Sequence, residues 1–285
     1  MYRIAPLDPI DYLIIGHVTQ DVTPNGLVIG GTASYSALTA RVLGMRVGIV
    51  TACDSCISSQ ELDLIPVAGL HSQDTTTFEN IPTPNGRIQR IHHRAPGLDL
   101  SLVPDHWRNP AIVHLAPVAN EVDPGLVRAF PNSLIGLTPQ GWMRGWDSDG
   151  QVHFTDWPEA GFVLGQADAA VLSIEDVRGD ESYIEDFSSH IRTLAVTEGA
   201  KGSRVYWNGD VRHFRPPEMN EFDSTGAGDI YAAAFFIRLN LTRDPWEAGR
   251  FTTQLAAYSA NRRGLDSIPT ADEIQLCMTE IIEKS

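Results

Sequence analysis

"FDSTGAGDIYAAAFFIRL", residues Phe222 to Leu239, sets Gly-Ala-Gly directly before Asp229 and then opens an apolar run. From Ala227 to Asn240 the run is rich in helix formers, so a helix begins at or near Gly226. Glycine lets the backbone approach a ligand closely and enter strained turns. The amides of Gly226, Ala227 and Gly228 then lie where a helix leaves N–H groups without partners and its dipole is positive, which makes an anion site. Asp229 falls in the first turn beside that site. Two readings of its carboxylate stand. It complements the helix dipole, worth about 0.3–1 kcal/mol, or it is a general base that takes the proton of a hydroxyl receiving a phosphoryl group.

Outward from this stretch, strand and helix signals alternate. Residues 11–18 (DYLIIGHV) read as a buried strand, 33–43 as a helix closed by Gly44, and 47–52 as a strand again. Further apolar runs at 111–118, 133–138, 169–174 and 193–199 read as strands, with helices around 124–130, 159–165 and 181–190 between them. Strands separated by helices predict a mostly parallel sheet covered on both faces. Residues 75–94 break the rhythm: side chains alternate around Pro-Asn-Gly, a hairpin that is a lid over a site, an edge ribbon or a dimer contact. The end of the chain is helical, over 227–240, 245–262 and 271–283, and no repeat or linker interrupts it.

The chain has 285 residues, 42% of them hydrophobic, enough for a sizeable core. Its net charge of −15 excludes an extended nucleic-acid or anionic-membrane surface, which needs clustered cations. Lys201 and Lys284 are the only lysines, so the positive charge is carried by arginine. No segment has the length and apolarity of a membrane span, and the N-terminus does not read as a signal peptide; with three cysteines and no paired framework, a cytoplasmic location is expected. Cys53 and Cys56 form a C-x-x-C with no second pair to complete a zinc set, and a non-redox role is the reading taken. G-x-x-x-x-G-K-[ST], G-x-G-x-x-G after the first strand, and G-x-S-x-G are all missing, which removes P-loop, dinucleotide-binding and α/β-hydrolase readings.

"DSTGAGD" resembles the C-terminal signature of the ribokinase-like (phosphofructokinase-B-type) carbohydrate kinases, D-T-x-G-A-G-D. "GGTASYSALTARVLG" (Gly30–Gly44) resembles the diglycine signature of the same family, "TEGAKG" (Thr197–Gly202) its T-x-G-x-x-G turn, and "SIED" (Ser173–Asp176) its N-x-x-E segment. "AAYSANRRGLDSIP" (Ala256–Pro269) is similar to the adenine-side helix and loop. The matches fall in order along nearly the whole chain. Within the family, "GGTASYSA", the stretch around "GRIQRIHHRA" and the Gln140–Arg144 stretch are most similar to the myo-inositol kinase branch.

The resemblance implies a three-layer α/β/α sandwich with a mostly parallel central sheet and a small β lid from about 19–30 and 75–95, all in a single domain. It implies an ATP- and Mg²⁺-dependent kinase acting on a hydroxyl of a small sugar or polyol, with K⁺ a further possible cofactor near Asp223. Asp229 would be the base, and Gly226, Ala227 and Gly228 the anion hole. Asp21, Gly30, Gly31 and Tyr35 would hold the acceptor, helped by Arg90 from the lid. Ser173, Thr197, Gly199, Gly202 and Asn261 would meet the nucleotide, and Asp176 would order magnesium-bound water. Two positions depart from the family: Tyr35 stands where an Asn is usual, and Ser173 opens the N-x-x-E segment. Without a P-loop lysine, phosphate charge must be met by the helix terminus, an arginine and Mg²⁺. A nucleoside kinase of the same fold, and a non-catalytic sugar or nucleotide sensor, are the rival readings. Monomer and homodimer both remain open.

Overall fold

The structure, a computed structural model, describes residues 9–54, 62–83, 86–217 and 225–278. In chain order the strands are β1 (Tyr12–Ile15), β2 (Thr19–Thr23), β3 (Gly26–Gly30), β4 (Val47–Cys53), β5 (Val67–His71), β6 (Thr77–Thr83), β7 (Gly86–His93) and β8 (Ile112–Leu115). They continue as β9 (Leu134–Leu137), β10 (Arg144–Trp146), β11 (Val152–Phe154), β12 (Ala169–Ser173), β13 (Thr193–Thr197), β14 (Ser203–Trp207) and β15 (Asp210–Phe214). The helices are α1 (Thr32–Val42), α2 (Ala160–Leu164), α3 (Glu181–His190), α4 (Ala227–Thr242), α5 (Pro245–Ser259) and α6 (Ala271–Met278).

Nine strands form one sheet in the order β15-β14-β13-β12-β9-β8-β1-β4-β5. From β5 to β13 every neighbour is parallel, and the β14–β15 hairpin closes one edge antiparallel. The period of two divides each strand between two cores. Leu13 and Ile15 of β1 point to the side of α2 and α3, where Trp107, Trp142 and Phe187 also pack, while Tyr12 and Ile14 point to α1, α4 and α5. This is the expected three-layer α/β/α sandwich. Helix α4 lies within the second layer and is apolar on all sides, from Ile230 through Ile237, which is why its sequence carries an unbroken hydrophobic run rather than a stripe.

A second sheet, in the order β3-β2-β6-β7, stands off the carboxyl ends of the large one and is the β lid. Its β2–β6 pair is parallel and its other pairs antiparallel. The ribbon β10–β11 leans against it through a bridge between Arg90 and Gln151.

Three readings need correction. The segment at 124–130 is a short 3-10 turn, Pro124–Arg128, capped by Asp123 and too short for an α-helix. The β14–β15 hairpin was not anticipated, although its Asn208-Gly209 turn, with both residues at positive φ (52° and 85°), is the favoured two-residue connection. β5, a short half-exposed edge strand, was also missed. The Pro84–Asn85 tip of the lid hairpin lies outside the described residues.

Buried polar side chains in the sheet are paired. His114, fully buried in β8, bonds Tyr12 Oη at 2.9 Å through Nδ1 and Thr138 Oγ1 at 3.0 Å through Nε2, using both ring nitrogens. Burial pushes its pKa down to about 3, so the ring is neutral. The folded protein therefore binds this proton less tightly than the unfolded chain. The stability it contributes is whole above pH 6.5 and is lost as pH falls toward 3, at no more than about 1.4 kcal/mol per pH unit. His114→Gln keeps both polar partners and removes the titration. Urea melts between about pH 7 and pH 5 should show a smaller loss of stability in the variant than in the parent; equal slopes would remove His114 as the cause.

Candidate active site

The carboxyl ends of the parallel strands and the N-termini of α1 and α4 enclose a cleft of about 1540 Å³, roofed by the lid. Small-molecule sites usually occupy about 300–1,000 Å³, so this cleft has room for two ligands end to end. Strand order sets its layout. β1, β8 and β9 end under the lid, β12 at the middle of the cleft, and β13 at its far end.

Gly226 caps α4 in the left-handed region, φ 81° and ψ −8°. A Cβ there would lie 2.4 Å from the ring of Tyr35, so the residue must be glycine for two reasons at once. The departure at Tyr35 is thereby explained: its buried ring is the floor under the start of α4. Gly226, Ala227 and Gly228 all line the cleft, with their amides at the helix start, where no carbonyl of α4 reaches them. No atom lies within 4 Å of a Cβ built on Gly228, so that position faces open space.

Asp229, in the first turn of α4, is half-buried at the cleft. Desolvation by the surrounding protein pushes its pKa up to about 6, against the pull of a hydrogen bond from Thr32 and the charge of Arg144; Asp176 and Asp21 push it further up. The direction of the chain of bonds is fixed. Arg144 Nη2 donates to Gln140 Oε1 at 2.8 Å, and Gln140 Nε2 donates to Thr32 Oγ1 at 2.8 Å. The Thr32 hydroxyl is thus left to donate to Asp229. The carboxylate is held as an acceptor and is ionised at neutral pH.

Asp21, on β2, lines the cleft at the lid, and a Cβ on Gly30 would lie 2.4 Å from its Oδ2. Gly31 caps α1 with φ 85° and lines the cleft. Arg90 is placed otherwise than expected. Cross-strand pairs Phe78–Ile91 and Asn80–Gln89 put Gln89 on the cleft side of the lid, and the pleat turns Arg90 and His92 to the other face, where His92 bonds Glu79 at 2.9 Å. The arginine that lines the cleft near the lid is Arg144, whose Nη1 also donates to Val118 O at 3.0 Å.

At the middle, Ser173 caps a 3-10 turn, accepting from Glu175 N at 3.2 Å, while Asp176 Oδ2 accepts from Ser173 N at 2.8 Å. Both residues line the cleft. Thr197, Gly199 and Gly202 line the far end, opposite Ala256, Ala257 and Ala260 of the α5 region. Asn261 follows one residue beyond that wall and is not part of it. Lys201 is exposed outside the cleft, and Asp223 lies outside the described residues. Cys53 is half-buried, and burial together with Asp54 pushes its thiol up to about 11, unsuited to redox exchange; Cys56 is outside the described residues.

Among the described residues no three His, Cys, Asp or Glu side chains form a metal cage. Asp176 lies at the middle of the cleft, and one carboxylate there is too few ligands for a closed metal site. Sequence reading passed over Thr32, Asn80, Gln89 and Arg178 as site residues. Thr32 carries a signal in hindsight, being the first residue of α1 after the diglycine.

The mostly parallel α/β/α sandwich with a small β lid is the ribokinase fold. Residues 151–271 match the model of the pfkB family carbohydrate kinases. A pyrophosphate-dependent kinase in the ribokinase family, solved with a pyrophosphate analogue and myo-inositol, superposes with a TM-score of 0.76 at 20% identity, over 94% of this chain and 100% of the other. The inositol 3-kinase of Oryza sativa subsp. japonica is 23% identical, aligned over 99% of this chain and 76% of its own length. The fructokinase of Escherichia coli is 28% identical over 48% of each chain, so this chain spans about half the length of that relative. Among the described residues no helix is long and apolar enough to cross a membrane.

Gly226→Ala and Gly228→Ala should part company. The first forces a methyl into the Tyr35 ring at a left-handed position and should lower thermal stability by several degrees. The second should melt within about 1–2 °C of the parent yet lose anion binding, because its methyl projects into the space an anion would occupy. Thermal melts with and without phosphate separate them; a Gly228→Ala protein that still gains stability from phosphate would refute the placement.

Proposed function

We propose that this protein is an ATP-dependent kinase that transfers the γ-phosphoryl group to a hydroxyl of a small sugar or polyol, a myo-inositol-like acceptor being favoured. The carrying observation is a raised carboxyl, Asp229, held as an acceptor in the first turn of α4 beside the cleft-facing Gly228. A binding protein gains nothing from a carboxylate set against an anion site.

Asp21, Asn80 and Gln89 bind the acceptor, since carboxylate and amide groups together accept from and donate to adjacent hydroxyls. Asp229 takes the proton of the attacking hydroxyl as its oxygen bonds to phosphorus and the bond to the leaving phosphate breaks; a base with pKa near 6 suits neutral pH. The amides of Gly226, Ala227 and Gly228 stabilise the spreading charge of the transferring group. Magnesium, when bound with the donor, would neutralise part of the phosphate charge, with Asp176 holding its water. The lid roofs the acceptor and keeps water, a competing nucleophile, away.

Support for a nucleotide donor comes from the far end of the cleft. Pro216, Pro217, Ala256, Ala257 and Ala260 make a small-residue, apolar slot suited to a flat base, a feature pyrophosphate does not need. The myo-inositol preference is supported by the inositol 3-kinase relative and the inositol-bound structural neighbour.

Turnover with MgATP and with magnesium pyrophosphate, over myo-inositol, ribose, fructose and nucleosides, tests the reading. Activity with ATP on a polyol or sugar is expected, and a kcat/KM that rises with pH through an apparent pKa near 6. Asp229→Asn should lower kcat by about 10²-fold or more. Its stability should move the other way. A folded pKa raised from 3.8 to about 6 means that ionising Asp229 opposes folding, by at most about 3 kcal/mol above pH 6 and not at all below pH 4. The variant should therefore be more stable than the parent at neutral pH and equal to it in acid. Unchanged turnover would exclude Asp229 as the base, and pyrophosphate activity without ATP activity would overturn the donor.

A further inference from the structure

Two cations line the cleft among the described residues, Arg144 and Arg178, against five carboxylates: Asp21, Glu175, Asp176, Glu198 and Asp229. Arg144 spends both terminal nitrogens on Val118 O and Gln140 Oε1. Arg178 is exposed, and its hydrogen bond is a single donation from Nη2 to Phe154 O at 3.2 Å. Its guanidinium stacks over the Phe154 ring, 4.8 Å from the centroid, and that ring is braced edge-on by Tyr183 at 5.1 Å. Phe154 pairs directly with Arg144 across the β10–β11 ribbon. One short ribbon thus supports both cleft arginines and keeps the planar fork of Arg178 in place with four of its five N–H donors uncommitted among the described residues.

Resting on the kinase reading, we propose that Arg178 is a donor-binding residue that contacts the phosphates of the donor which are not transferred. Topology places it there. Arg178 ends the turn that carries Asp176, at the carboxyl end of β12, and β12 lies between β9, which serves the acceptor end, and β13, which carries the far-end turn. The acceptor is uncharged, so the polyanion an arginine would meet at this point is the donor. A chain with no lysine in its cleft must supply that contact from an arginine, and a planar fork matches phosphate oxygens in pairs.

The backbone offers a clean test. Arg178 sits at φ 56°, which favours glycine, so Arg178→Gly removes the charge without removing a stabilising conformation. Titration calorimetry of Mg·ADP and magnesium pyrophosphate onto the parent, Arg178→Gln and Arg178→Gly should show affinity lower by about 10- to 100-fold in both variants. Donor KM should rise in parallel with acceptor KM unchanged, and the glycine variant should melt at or above the parent temperature. Parental affinity in the variants overturns the assignment, as does an equal loss of acceptor affinity, which would mark a structural role. A parent that binds neither polyphosphate overturns the kinase reading itself.

Discussion

The contact between α1 and α4 at their N-terminal ends is the constraint on which the site depends. Each helix starts from a glycine at positive φ, Gly31 at 85° and Gly226 at 81°, so each chain turns sharply out of the cleft wall into its helix. The Tyr35 ring fills the space a side chain at 226 would need, and Ser36 Oγ donates to Asp229 O at 3.1 Å. The two helix starts that line the cleft are thereby locked to each other. Tyrosine in place of the family's usual Asn alters the floor of the site while leaving its geometry of amides intact.

Electrostatics follows from that lock. Asp21 and Asp176 sit close enough to Asp229 to raise its pKa, in a chain whose net charge is already −15. The run from Arg144 through Gln140 and Thr32 delivers one positive charge and one oriented hydroxyl to Asp229, which offsets part of the desolvation without sealing the carboxylate in a salt bridge. A direct bidentate arginine would depress the pKa well below the useful range and occupy the oxygens that must take a proton. Placing a Gln and a Thr between the two groups leaves Asp229 ionised at neutral pH without a direct salt bridge to Arg144.

Much of this was legible. Alternating strand and helix signals gave the sandwich, since buried parallel strands read as continuous apolar runs. The helix from Ala227 and the anion site before it could be read from Gly-Ala-Gly and the helix formers behind it. What failed to read was of two kinds. Short elements at the sheet edge, β5 and the β14–β15 hairpin, carry little periodicity because they are half exposed, although Asn208-Gly209 was a usable turn signal. The second kind is side-chain facing. Arg90 and Gln89 are neighbours, and a pleat that reverses at each residue decides which one meets the cleft, a one-position question that a Pro-Asn-Gly turn signal in the sequence does not settle. Thr32, Gln140 and Arg144 come together only through tertiary structure: 108 residues separate the first two.

The roof of the site is tied to the same framework. Four chain crossings join the lid to the core, and a buried imidazole gathers three of them: His17, between β1 and β2, bonds Thr76 Oγ1 at 2.7 Å just before β6 and Pro96 O at 2.9 Å just after β7. Thr76 Oγ1 in turn accepts from Ala95 N at 2.9 Å. Below the ring, the buried Glu121 carboxylate accepts from the amides of His17, Val118 and Ala119, so its charge is met by backbone N–H groups rather than by a cation. The loop it organises presents Val118 O to Arg144 and Ala119 O to Arg94 at the foot of the lid. The foot of the lid and the seat of the cleft arginine are therefore fixed by a single carboxylate. The loop thereby ties the lid over the cleft to Arg144, whose charge lowers the pKa of Asp229.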